Sequence, residues 1–311
     1  MQRVVVSGSS GLIGRALVDH LRSRGREVVR LVRREARYAD EYRWDPYAGH
    51  VDPKALIGAD AVINLSGAGI GDGRWTEERK KVLYDSRILT TTTLANSLVD
   101  LDVTPAVFVS QSAIGIYGDR GDKVLTESSS LGPRSDFLAS LTMDWEAAAE
   151  PARQAGVRVV HPRTGLVLAR DADLMKRLVP IFKAGLGGPI GNGRQWWSWI
   201  TLRDVVAAID HLLSQEFHGP ANLTAPNPVR QSEFADVLGD VMGRPSIVPV
   251  PKFAMKLVLG SEKADGIGLS SARVTPGALM EADYSFHDED LRGALESLFQ
   301  ERESRGAPVG S

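Results

Sequence analysis

Cysteine is absent from the sequence, which excludes disulfides and thiolate chemistry and is compatible with a reducing compartment. Six histidines are present (His20, His50, His161, His211, His218 and His287), but they show no metal-ligand spacing, so no metal is expected. Neither sign of charge dominates: 37 Lys and Arg stand against 39 Asp and Glu, a formal net charge of -2. The concentrated basic charge of a nucleic-acid surface is therefore missing. No apolar run reaches the roughly 18 residues of a membrane-spanning helix. The opening Val4-Val5-Val6 is too short for the core of a secretory signal. The expected location is the cytoplasm, with neither nucleic acid nor membrane as a partner. What remains is ordinary globular material: 311 residues, 43% of them hydrophobic, enough for one large domain or two of ordinary size.

The first two-thirds alternates short β-branched runs with helical patterns. Strands are predicted over Arg3–Ser7, Glu27–Val32, Ala59–Leu65, Ala106–Ser110 and Val157–Pro162, each nearly continuous in apolar residues, as in a sheet covered on both faces. Helices are predicted between them over Leu12–Arg24, Thr76–Leu101 and Phe137–Ala155. That alternation implies right-handed βαβ units and a parallel sheet. Beyond about residue 165 the texture changes to a glycine-rich stretch, Gly185 to Gly193, followed by Trp196, Trp197 and Trp199. A helix over Thr201–Ser214 with Thr201 as N-cap and a strand near Ala221–Thr224 follow. Further helices are expected over Gln231–Met242 and near Asp288–Phe299. The fold class is therefore α/β, a Rossmann-type doubly wound parallel sheet with a smaller C-terminal α+β domain. The first domain spans 1–168, with 201–225 threading back into it; the second takes 169–200 and 226–300. The tail 301–311 is expected to fray.

The segment Gly8-Ser-Ser-Gly11-Leu-Ile-Gly14 lies between the first strand and the first helix. Glycine is needed there to turn out of the strand, to let backbone approach a pyrophosphate, and to let the helix pack on the sheet. Free N–H groups at the helix start then face the phosphates. The alternative is a purely structural βα turn. An acidic residue at the end of the second strand would hold a ribose 2′-hydroxyl, whereas arginine accommodates a 2′-phosphate. Here the strand ends in Arg33-Arg34, with no acid before Glu35, which favours NADP(H) over NAD(H). A solvated basic turn is the competing reading.

The glycine spacing resembles short-chain dehydrogenase/reductases of the extended, sugar-nucleotide-epimerase type. Several stretches narrow the resemblance to the atypical "epimerase family" of YfcH type. They are Trp44-Asp45-Pro46, Asn64 to Gly69 with Gly73-Arg-Trp75, Ser112 to Gly118, and Asp144-Trp-Glu146. Ser198-Trp-Ile200 with Asp204, and the Pro226/Pro228 region leading into Arg244-Pro245, continue the match through the second half. The resemblance implies a C-terminal substrate domain packed over the carboxyl edge of a Rossmann sheet. It also implies cofactor contacts. Gly8, Ser10, Gly11, Leu12, Ile13 and Gly14 would lie at the pyrophosphate, and Arg33, with Arg34, at the 2′-phosphate. Trp44 and Asp45 would approach the adenine, Leu65, Ser66, Gly67 and Ala68 the ribose, and Pro162, Arg163 and Gly165 the nicotinamide.

Extended reductases carry Tyr-x-x-x-Lys on a helix, the tyrosine serving as acid/base with its pKa lowered by the lysine. Anchored on Glu146, those positions are Leu138 and Thr142, and neither can replace the pair. The YfcH-type family also lacks it. The usual hydroxyl position is Ala113, one residue from Ser112. Ser112 and Tyr117 remain as catalytic candidates, the first against a simple strand-end hydrogen bond, the second against packing. Arg163 could orient a substrate anion or pair with an interior carboxylate. The three tryptophans could stack on a planar ligand or form core, and Asp204 is expected to support a helix cap.

Two readings of function follow. One is an NADP(H)-dependent oxidoreductase or epimerase-like enzyme acting on a small carbonyl or sugar-like substrate, an isomerase with tightly held NADP being its variant. The other is a non-catalytic NADP(H) sensor or scaffold, linked to cell division through the resemblance. The helix Thr76–Leu101 could join a homodimer interface or simply cover the sheet.

Overall fold

The computed structural model describes residues 1–306. Its centre is a mostly parallel sheet. Strands β1 (Arg3–Ser7), β2 (Glu27–Val32), β3 (Glu41–Asp45), β4 (His50–Val51), β5 (Ala61–Asn64) and β6 (Val107–Ser110) supply most of it. Two later strands, Arg158–Thr164 and Gly219–Leu223, complete one edge; the order runs Gly219–Leu223, Arg158–Thr164, β6, β5, β1, β2, β3, β4. Only the β3–β4 pairing within this order is antiparallel. Chain order reverses between β5 and β1, and such a switch point opens a crevice beyond the carboxyl ends of the strands.

The strand pleat sends alternate residues to opposite faces, and the core divides accordingly. Val4 and Val6 pack with Leu17 and Leu21 of helix α1 (Leu12–Ser23) and with Val205 and Ile209 of the helix Leu202–Ser214. Val5 faces the other side with Leu94 and Leu98, which belong to a helix running Glu77–Val99. Residues 201–223 thus return to the first body, covering one sheet face and adding its edge strand. A separate core of Met175, Phe182, Trp197, Trp199, Phe234 and Leu295 fills the C-terminal part.

Several predicted boundaries are corrected. The helix expected over Phe137–Ala155 is two, Phe137–Ala147 and Glu150–Gln154, because Pro151 has no N–H to continue the ladder and fits only a first helical turn. Strands β3 and β4 and the helix Asp173–Lys183 were not legible in the pattern. The last helix spans Leu291–Gly306, carried past Phe299 by Glu301, Arg302, Glu303 and Arg305, all good helix formers. The rest of the tail expected to fray, 307–311, lies outside the described residues. The tryptophans do not form a ligand platform. Trp197 and Trp199 are core, and the Trp196 ring has the Arg230 and Arg273 guanidinium carbons 4.1 and 4.3 Å from its centroid. Asp204 is fully buried and accepts the backbone N–H groups of His287 and Asp288 and the Tyr284 hydroxyl, which fastens the start of its helix to the C-terminal segment.

Candidate functional site

The site begins where β1 stops. Gly8 turns out of the strand at φ 70°, and a side chain there would place Cβ 2.5 Å from the Leu65 carbonyl oxygen. Gly14, in the first turn of α1, lies so close under the loop that a Cβ would sit 2.2 Å from the Gly8 carbonyl oxygen. Loop and helix therefore touch backbone to backbone. Gly11 caps α1 without any side-chain acceptor, which leaves the first N–H groups directed outward for an anion. Gly14→Ala is expected to push α1 off the loop, lowering the thermal midpoint and removing measurable nucleotide binding together. A variant of unchanged stability and affinity would refute this account of the turn.

Beyond the loop opens a cleft of about 820 Å³ at the β5–β1 switch point. Gly8, Ser10 and Gly11 form its floor, and Leu65, Ser66, Gly67 and Ala68 one side. Arg33, Arg34 and Trp44 stand at the β2–β3 end. Residues the sequence did not single out complete the wall: Ser9, Arg15, Arg30, Glu41 and Tyr47, with Val82, Ser86 and Thr90 from the helix Glu77–Val99. Helical spacing connects the last three, so one face of that helix walls the cleft.

The two predicted cations differ. Arg34 is bound at both nitrogens by Glu41, at 2.8 and 2.6 Å, and Arg30 approaches the same carboxylate at 3.2 Å. The Arg34 hydrogen bonds hold the Glu41 carboxyl down at about 2. Arg33 is exposed and makes no ion pair or side-chain hydrogen bond among the described residues, so its donors remain available. Three arginines against Asp40 and Glu41 leave this end of the cleft net positive.

Other expected contacts sit elsewhere. Asp45 accepts the backbone N–H groups of Tyr47 and Ala48, at 3.0 and 3.2 Å, and so shapes the turn that presents Tyr47 rather than the wall itself. Leu12, Ile13 and Gly14 stand behind the loop, Ile13 packed against the core. Pro162, Arg163 and Gly165 are not among the residues that line this cleft. Pro162 pairs in register with Ala221, and a Cβ on Gly165 would meet the Ser198 carbonyl oxygen at 2.5 Å, so both serve strand packing.

The catalytic candidates are drawn into one buried network. Arg163 is 4% exposed and binds both Glu146 oxygens, at 2.8 and 2.9 Å. Ser112 donates to the same carboxylate at 2.6 Å. Burial pushes the Glu146 carboxyl up, but Arg163, aided by His161 and Ser112, holds it below its ordinary value. The Tyr117 hydroxyl accepts from Arg163 at 2.9 Å and donates to Asn222 at 2.7 Å, with the whole residue at 0% exposure. Burial raises its pKa, away from neutrality. Tyr117 is therefore a buried hydroxyl with both hydrogen-bond partners in place, and Ser112 is bound to the Glu146 carboxylate. At the positions of the usual pair, Leu138 packs near Gly115, and Thr142 turns its hydroxyl back to the Leu138 carbonyl at 2.7 Å. Tyr117→Phe is expected to lower stability by about 1–3 kcal/mol, because Arg163 and Asn222 each lose a buried partner. Nucleotide affinity should stay unchanged; urea unfolding and a binding titration measure the two effects separately.

Among the described residues no helix is long and apolar enough to cross a membrane, and no cluster of three or more acidic or histidine side chains could hold a metal ion. Residues 4–223 match the model of the NAD dependent epimerase/dehydratase family, and residues 250–298 match a domain of unknown function, DUF1731. An epimerase family protein of Mycobacterium tuberculosis is 41% identical over 293 residues, covering 94% of this chain and 96% of the relative. An Arabidopsis thaliana "epimerase family protein SDR39U1 homolog, chloroplastic" is 35% identical, covering 96% of this chain and 86% of its own length. Among solved structures, the human epimerase family protein SDR39U1 (isoform 2), determined with NADPH, superposes with a TM-score of 0.88 at 31% identity. The match covers 96% of this chain and 99% of the human one.

Proposed function

The chain belongs to the NAD dependent epimerase/dehydratase family, and from that premise we propose that it binds NADP(H) in the cleft described above. The observation that carries the choice of cofactor is Arg33, an exposed guanidinium just after β2 with no ion pair or side-chain hydrogen bond among the described residues. The residues fit the group. Gly8 and Gly14 leave room where side chains would intrude, the uncapped start of α1 suits a pyrophosphate, and Trp44 and Tyr47 offer apolar surface to an adenine. The structure of the human relative with NADPH supports the same reading.

The function is that of an oxidoreductase or epimerase-like protein for a small carbonyl or sugar-like substrate. Bound NADP(H) would supply hydride exchange at its nicotinamide ring. This chain's residues hold and orient the dinucleotide, and Leu138 and Thr142 cannot supply the proton transfer of the usual tyrosine and lysine. Purified protein titrated with NADPH and NADH, then mixed with a carbonyl panel, tests the reading; absence of NADPH binding would overturn it. A second reading, a cofactor-dependent sensor or scaffold without turnover, is favoured by the commitment of Ser112 and Tyr117 to the Glu146–Arg163 network. Tight NADPH binding with no turnover on any substrate would decide for it.

A further inference from the structure

Single exposed apolar side chains are ordinary on a protein surface; a cluster of them is not. Among the described residues, five large hydrophobics are at least 70% exposed: Val103, Ile247, Phe253, Leu257 and Val258. Four of these fall between 247 and 258 in the C-terminal part of the chain. The helix Lys252–Leu259 buries none of its residues. Phe253 and Leu257 stand four positions apart and share one face of it, with Val258 beside them. Val248 and Leu186, also exposed, extend the patch, since the Val248 N–H donates to the carbonyl of Gly187 at 3.0 Å.

The charge around this patch has one sign. Residues 174–193 include Lys176, Arg177 and Lys183, residues 241–261 include Arg244, Lys252 and Lys256, and neither stretch contains a carboxylate, in a chain whose formal net charge is -2. Lys183, Arg244 and Lys252 form no ion pair among the described residues. The two stretches touch: a Cβ on Gly191 would stand 2.8 Å from the Lys252 side chain. The bordering carboxylates are engaged. Asp265 pairs with Lys256 at 2.8 Å, Glu262 pairs with Lys80 at 2.6 Å, and Asp236 accepts the Ser246 hydroxyl at 2.7 Å.

We propose that this face docks on an anionic lipid surface. The helix Lys252–Leu259 lies in the plane of the interface, Ile247, Phe253, Leu257 and Val258 enter the acyl boundary, and Lys183, Arg244 and Lys252 meet the headgroup phosphates. An apolar face flanked by lysines whose stems can lie flat while the ammonium reaches outward is what such docking requires. The lack of an apolar run of roughly 18 residues excludes a spanning helix, not one that lies on the surface. A second copy fits this face less well, because a two-fold contact would set the unpaired cations against one another. A protein partner would need a preformed groove for side chains that stand this far out of the surface, whereas a bilayer deforms around them. The NADP(H) reading plays no part in this docking.

The test is co-sedimentation of the intact protein with two kinds of vesicle, phosphatidylcholine alone and an equal mixture of phosphatidylcholine with phosphatidylglycerol. Binding is expected on the mixed vesicles, falling as salt rises, and at least tenfold weaker on phosphatidylcholine alone. The double variant Phe253→Ser, Leu257→Ser should lose about tenfold or more in vesicle affinity, and Lys252→Gln about fivefold. Neither should move the thermal midpoint, because the helix buries none of its residues. Val103→Ser, equally exposed but outside the patch, should bind as the unmodified chain does. No binding to the mixed vesicles, or binding that Phe253→Ser, Leu257→Ser leaves unchanged, would overturn the proposal. So would a dimer in solution that the double variant dissociates, or an acidic amphipathic peptide that binds the patch where vesicles do not.

Discussion

Arg33→Ala is expected to weaken NADPH binding by about 10- to 100-fold and to change NADH binding by no more than about twofold, because hydrogen bonds to a charged group contribute about 1.5–3 kcal/mol. The prediction is sharp because Arg33 has no internal duties. It is exposed and pairs with nothing among the described residues, so its removal leaves no orphaned partner and the fold should not register the change. Its effect should also shrink at high salt, as for any exposed ion contact. Arg34→Ala should behave differently. Glu41 would lose its bidentate partner, and a drop in stability would accompany any loss of affinity. Comparable losses for NADPH and NADH in Arg33→Ala would show that this residue does not read the 2′-phosphate. The cofactor assignment would then rest on the family alone.

The two arginines also show how far the sequence can be read. Their placement after β2 follows from a β-branched run ending in two cations, and the run is legible because β2 is buried on both faces. Which of them is free is not legible, because Glu41 meets Arg34 only through β3, whose Glu-Tyr-Arg-Trp-Asp pattern carries too little apolar alternation to announce a strand. The same division recurs at the site. Gly8, Gly11 and Gly14 are readable because their spacing is local. Val82, Ser86 and Thr90 reach the cleft only through the angle at which their helix crosses the sheet. Tyr117 and Ser112 were plausible as chemistry because a hydroxyl's partners cannot be seen in one dimension. In three, Asn222, a residue 105 positions on, accepts the tyrosine's hydrogen bond. A strand near Ala221–Thr224 is legible in the sequence, and the structure places it at Gly219–Leu223, but its register against Arg158–Thr164 is not legible.

That register explains the largest stability effect expected in the molecule. Asn222 opposes Arg163 across the two strands, and Arg163 reaches Glu146 on the helix Phe137–Ala147, so one ion pair links sheet edge to helix in a site almost without solvent. Removing one member leaves the other charged and buried. Glu146→Ala is expected to lower stability by about 3–5 kcal/mol, with Arg163→Met similar, and the double variant should be less destabilised than the sum. Recovery will be incomplete, because Ser112 still loses its acceptor and Tyr117 its donor. The pH dependence follows from the direction of the shift. Glu146 titrates lower in the folded chain than in the unfolded one, so the unfolded state takes up protons first on acidification. Its contribution is complete above the ordinary glutamate pKa and is lost as pH falls through the depressed folded value. His161, whose pKa is lowered by burial, adds a loss of the same sign that begins at its ordinary, higher pKa. Urea midpoints at pH 7, 5 and 4 should therefore fall more steeply for the wild-type chain than for Glu146→Gln, with His161 and other depressed carboxylates such as Glu41 and Asp204 supplying the slope that remains. Parallel slopes, or a Glu146→Ala variant within about 1 kcal/mol of wild type, would mean that the pair's desolvation nearly cancels its attraction. Because neither Glu146 nor Arg163 lies on the cleft wall, Glu146→Gln should bind NADPH as the wild type does wherever it is folded.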